Sequence, residues 1–147
     1  MEEYSNLIRE IKKDFFKYRN GIIADSLKKL YGDGIVIFGL TVPQFMDLAK
    51  KYPKDLQLAI KLWEDKKNRE ARLFSLYLLP YSELEYEKAK EMFLDVQSFE
   101  EGDFLAFRIL RHLPYASNLY EELSDMTDQD KIFNYTLKMF KKNLDQI

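Results

Sequence analysis

Apolar residues recur every three or four positions along almost the whole chain. Tyr4, Leu7, Ile8, Ile11 and Phe15 form one series, Phe45, Leu48 and Ala49 a second, and Ala59, Leu62 and Trp63 a third. That spacing gives each segment one apolar stripe on a helix. Nothing alternates at period two over a useful length, so the pattern predicts helices and no sheet. The one strand-like run, IVIFGL at 35–40, lies between glycine-rich turns without an obvious partner and reads as a buried connection. The segment 69–79 is apolar on every side of a helical wheel, which predicts a central helix covered on several sides. Its first turn carries Arg69, Glu70 and Arg72, and is expected to emerge at an edge where the arginines reach water or a ligand.

Helix starts are well marked. Thr41-Val42-Pro43-Gln44, Ser82-Glu83-Leu84-Glu85 and Ser98-Phe99-Glu100-Glu101 each place Ser or Thr three residues before Gln or Glu. This is the capping-box pattern, in which the two side chains satisfy amides at the helix start. Thr127–Asp130 is a shorter-armed version, and Asn68 is a plain N-cap. Starts near 41, 53, 68, 82, 98, 115 and 127 recur about every 14 residues, after earlier helices near 3–18 and 21–31. Eight or nine short helices with short links pack as antiparallel neighbours. The regular step predicts an all-α fold of stacked helix pairs, an α-α superhelix or solenoid, formed as a single helical-repeat domain over 1–147.

Composition narrows the chemistry. The 147 residues contain no cysteine, so disulfides, thiolate zinc sites and cysteine nucleophiles are excluded. A single histidine, His112, argues against a His-rich metal site or a serine–histidine relay. The start, MEEYSNLIRE, is acidic and has no apolar run, unlike a signal peptide, and no stretch reaches the length of a membrane span. A cytoplasmic protein is expected. Residues 1–75 hold 15 Lys/Arg against 11 Asp/Glu, whereas 76–147 hold 8 against 14. Such a split can mark a basic face for phosphates, or simply solvated helix faces. YGDGIVIFG lacks the lysine of a phosphate loop, and DMTDQD lacks the closing glutamate of a calcium loop.

Two segments carry a family resemblance. FGLTVPQFMDLAKKYPKD (38–55) and LAIKLWEDKKNREARLFSLYLL (58–79) resemble the AlkD-type DNA alkylation repair proteins, in a Gly-hydrophobic-x-x-Pro entry, a helix ending near Ala-Lys, then Leu-Trp and a Glu-Ala-Arg-Leu helix. The resemblance covers about 38–112. It implies a HEAT-like repeat solenoid with a concave basic groove, and a DNA glycosylase that removes N3- or N7-alkylated purines from double-stranded DNA without metal or other cofactor. The family's site needs aromatic rings against the nucleotide sugar, a carboxylate to stabilise the sugar cation and place water, and basic groups on the backbone.

In the family an aromatic and that carboxylate lie four residues apart, and the matching stretch is SFEEGDFLAFRILRHLP at 98–114. Phe99 and Asp103 have that spacing and share a helix face, with Phe107 one turn on. The resemblance thus implies Asp103 and Phe99 as catalytic residues. The candidates for DNA contact are Lys66, Lys67, Arg69, Arg72, Arg108 and Arg111. The chain departs from the family where Phe99 replaces a tryptophan, no Arg follows Arg111, and the family's second aromatic, later in the chain, has no counterpart. An acid-rich run over 82–103 leads into the candidate site. The competing reading is a noncatalytic helical-repeat scaffold for protein–protein interaction. A third reading is a homodimer that completes the groove, since a short solenoid leaves an apolar end exposed.

Overall fold

A computed structural model describes residues 2–146, Glu2 by its backbone alone. Every regular element among them is helical. They are α1 (Glu2–Lys17), α2 (Gly21–Tyr31), α3 (Val42–Ala49), α4 (Leu56–Trp63), α5 (Arg69–Leu78), α6 (Tyr86–Leu94), α7 (Phe99–Arg108), α8 (Ala116–Ser124) and α9 (Lys131–Leu144), with 3-10 turns at Tyr81–Glu83 and Leu110–His112. The fold is all-α, as the apolar spacing requires. The residues form two compact units, one ending at Leu79 and the other beginning at Pro80.

In the first unit α5 is the centre, and every one of its residues is buried. Asn68 caps it by accepting from Ala71 N at 3.0 Å. Helices α3 and α4 pack on it. Its Phe74 ring meets Phe15 of α1 edge-on at 5.6 Å, stacks with Phe45 of α3 at 6.1 Å, and meets Tyr52 at 6.2 Å. The cap at Thr41 forms the full box with Gln44, whose Oε1 accepts from Thr41 N at 2.9 Å. Asp55 caps α4 through Leu58 N at 2.9 Å and takes a second bond from the Tyr4 hydroxyl.

The segment 36–40 is a connection, joined to the helix starts around it. Val36 makes an isolated parallel bridge with Asn68, giving its O to Arg69 N at 3.0 Å and its N–H to Lys67 O at 2.7 Å. Phe38 O accepts from Asn20 N at 2.7 Å. Gly39 has φ +89, and a Cβ there would lie 2.6 Å from Asn20 O, so only glycine fits this crossing.

The first turn of α5 corrects the expectation that it emerges at an edge. Glu70 is fully buried, and its carboxylate accepts from Phe38 N at 2.8 Å, Gly39 N at 3.0 Å and Leu40 N at 3.3 Å. Arg69, 5% exposed, ion-pairs with that carboxylate and donates to Leu40 O at 3.3 Å. Arg72, 0% exposed, lays its guanidinium 3.8 Å over the Trp63 ring and donates to Trp63 O at 2.7 Å. A buried carboxylate needs donors and a countercharge. Arg69 and the 38–40 amides supply these to Glu70, and Trp63 takes up Arg72, so all three charges stay out of water.

In the second unit α7 packs along α9, and α6 and α8 also lie against α9. Phe140 of α9 meets Phe93 of α6 at 6.4 Å and Tyr120 of α8 at 5.6 Å. Two expected caps fall elsewhere. The 3-10 turn at Tyr81–Glu83 takes up Ser82, and Glu85 becomes the residue before α6. The peptide between is fixed by the Tyr115 hydroxyl, which donates to Leu84 O at 2.6 Å. At 127–130 the cap is Asp130, whose Oδ1 accepts from Phe133 N at 2.8 Å, because Asp128 turns the chain with φ 58.

Replacing Glu70 leaves the 38–40 amides and Arg69 without their acceptor in a dry interior. Glu70→Ala is expected to cost about 3–5 kcal/mol, as when one partner of a buried ion pair is removed. Urea unfolding checks this. A loss under about 1 kcal/mol would mean that the carboxylate is not the tie that its contacts indicate.

Candidate functional site

Helix α7 is set in register at its start. Ser98 Oγ accepts from Glu101 N at 3.1 Å, and Glu101 Oε1 reaches back to Gln97 N at 2.8 Å. The expected box therefore forms, with the glutamate reaching one residue beyond the cap. Glu101, Gly102, Leu105 and Ala106 then face the interior. The opposite row is Phe99, Asp103 and Phe107, one helical turn apart. Phe99 is 49% and Phe107 50% exposed, and Asp103 lies half-buried between them. The aromatic stripe is therefore a surface feature of this unit and not part of its core.

Helix α9 adds a group that spacing did not reveal. The Tyr135 hydroxyl donates to Asp103 Oδ1 at 2.8 Å, and its ring meets Phe99 edge-on at 4.9 Å. A third aromatic beside the carboxylate thus comes from the last helix, where the sequence alone indicated none. Burial raises the Tyr135 pKa, and the bond to Asp103 raises it further, so the phenol stays protonated and remains a donor. One Asp103 oxygen is held by this bond, which fixes the carboxylate's direction.

The approach of the two helices depends on Gly102. A Cβ at Gly102 would collide with the Thr136 hydroxyl and come within 3.3 Å of Thr136 Cβ. Thr136 is itself fixed, its hydroxyl donating to Ile132 O at 2.7 Å. With no side chain at 102, the residue next to Thr136 can reach Asp103.

The row continues past α7. Arg111 lies four residues beyond Phe107, in the 3-10 turn, with its guanidinium 3.9 Å over the Phe107 ring. Its Nε donates to His112 Nε2 at 3.3 Å, and the His112 ring stacks on Tyr81 at 4.8 Å. Burial and then the charges of Arg111 and Arg108 lower the His112 pKa, so it is neutral where it accepts that bond. Arg108 is half-buried at the end of α7. Lys66 and Lys67 are exposed in the turn between α4 and α5, whereas Arg69 and Arg72 are buried. The structure thus brings Phe99, Asp103, Phe107 and Arg111 into one row with Tyr135. It places Lys66 and Lys67 in the other compact unit.

A family model described as DNA alkylation repair enzyme matches residues 11–134. The chain belongs to the DNA alkylation repair enzyme family. No curated protein and no solved structure matches it. The family match includes the whole of α7 and ends at the residue before Tyr135. Among the described residues, no three His, Cys, Asp or Glu side chains gather to hold a metal ion, and no helix is long and apolar enough to cross a membrane.

Gly102→Ala is expected to destabilise the protein by about 1–3 kcal/mol through overpacking against Thr136. In a Thr136→Ala background the same change should cost measurably less, because the hydroxyl it meets is gone. Equal costs in both backgrounds, read from urea unfolding, would contradict the close approach.

Proposed function

We propose that this member of the family is a DNA-binding N-glycosylase acting on N3- or N7-alkylated purines in double-stranded DNA, with Asp103 as its catalytic carboxylate. The observation that carries the reading is a carboxylate fixed by Tyr135 between two half-exposed rings, Phe99 and Phe107, on a surface row.

The chemistry suits such a row. Alkylation at N3 or N7 leaves the purine cationic. When the C1′–N9 bond breaks, the bonding pair leaves with the base, which departs neutral, and the sugar takes the positive charge. That developing charge is the main barrier, so negative charge fixed in advance beside C1′ lowers it. Asp103 supplies the charge. The faces of Phe99 and Phe107 favour the same cation. Tyr135 holds Oδ1, leaving Oδ2 to accept a proton from the water that attacks C1′. Arg111, held over Phe107, would meet a backbone phosphate. Arg108, Lys66 and Lys67 remain candidates for phosphate contact, and the buried Arg69 and Arg72 act within the first unit instead.

The test is release of 7-methylguanine from a methylated duplex, with wild type beside Asp103→Asn. Asn keeps the shape and removes the charge. Wild type should release base, and the variant should be slower by about 10²–10³-fold, the usual cost of losing one preorganised electrostatic group. No release by wild type would sink the enzyme reading and leave a noncatalytic scaffold. Equal release by both would remove Asp103 from the mechanism.

A further inference from the structure

The first unit carries a charged surface that the Asp103 row does not use. Arg9, Lys13 and Lys17 stand four residues apart on α1, with Lys12 and Phe16 in the adjacent row. Arg9, Lys12, Lys13, Phe16 and Lys17 line an open depression of about 510 Å³, closed on one side by Phe38. Phe16 is 54% exposed, and Arg19 lies 3.8 Å over its ring. The acids nearby neutralise this surface only in part. Asp14 turns inward, 3% exposed, to Lys51 and Tyr52, and touches Lys17 only at 3.6 Å. Lys12 pairs with Asp65 at 2.6 Å. The charge of Glu10 acts on Lys51 and Tyr52. Lys13 makes no ion pair among the described residues.

Like charges at four-residue spacing repel and destabilise a helix. A row with more cations than paired acids, set around an aromatic floor, gains stability from an anionic partner. We propose that this face of α1 is a DNA-backbone contact, with the cationic rim meeting phosphates and Phe16 packing against a deoxyribose. The inference rests on the DNA reading above and adds a surface to it. Its charge density suits the partner. The three cations are spread over roughly 12 Å of helix, and duplex DNA, with a charge about every 1.7 Å of its axis, offers several phosphates to them over that length. Phe16 and Phe38 give the open depression an apolar floor between the cations, which suits the sugar edge of a nucleic-acid backbone.

The experiment compares three full-length proteins on an undamaged duplex, by fluorescence anisotropy between about 50 and 200 mM salt. They are wild type, Arg9→Gln/Lys13→Gln/Lys17→Gln, and a control, Lys28→Gln/Lys29→Gln/Lys54→Gln, which removes the same charge from other exposed positions. The α1 variant should lose at least about 10-fold in affinity and about three units of the log–log salt slope, near 0.9 for each phosphate no longer neutralised. The control should change little. An unchanged slope in the α1 variant overturns the proposal, as does an equal loss in the control. Loss of binding to phosphatidylserine vesicles with DNA binding intact would assign the face to a membrane and also overturns it. Base release by wild type is read separately. Release with unaltered α1-variant binding defeats this inference alone, whereas absent release defeats the catalytic reading alone.

Discussion

Helix α9 can lie against α7 because residue 102 has no side chain. The candidate chemistry of the second unit depends on that approach. Thr136 occupies the space that a Cβ at 102 would take. Its neighbour Tyr135 then reaches Asp103, and Phe133, Thr136 and Phe140 close the interior behind it. The half-buried carboxylate is therefore fixed by packing that is itself buried. A surface aspartate with no such support would turn freely and contribute little preorganised charge.

Buried carboxylates do related work elsewhere. Short helices leave many amides unsatisfied at their starts, and acids in or near the first turn take them up. Glu101 reaches Gln97 N, and Glu70 takes three amides of the 38–40 connection. Asp14 accepts from Lys51 and Tyr52. Burial alone would raise its pKa, but the two bonds outweigh it and hold the carboxyl below its ordinary value. The charged residues in the resemblance-bearing segment NREARL belong to this group. Asn68, Arg69, Glu70 and Arg72 build the first unit. In this chain they hold the fold together, which is a different matter from touching a substrate.

Much of this was legible in the sequence. Apolar spacing gave the helices, and the caps at Thr41, Asn68 and Ser98 fall where the motifs put them. The family was legible over 38–112, and the match extends to 11–134. Three things were not legible. The burial of Arg69 and Arg72 was hidden because charge reads as exposure until partners are known, and their partners are Glu70 and the distant Leu40 carbonyl for Arg69 and Trp63 for Arg72. The start of α6 was misplaced because a 3-10 turn consumed its serine. Tyr135 was missed because it flanks the apolar stripe of α9, and only the crossing with α7 shows what it faces. One signal was available, since a lone glycine inside a helix asks what packs against it.

The central claim is that Asp103 acts through a position fixed by Tyr135. The most direct measurement is a double-mutant cycle on single-turnover release of 7-methylguanine, using Asp103→Asn, Tyr135→Phe and the pair. If the claim holds, Tyr135→Phe slows the wild-type protein by about 10-fold or more, as for a lost hydrogen bond to a charged group, and has no further effect once Asp103 is Asn. Equal slowing in both backgrounds, or none in either, would contradict it.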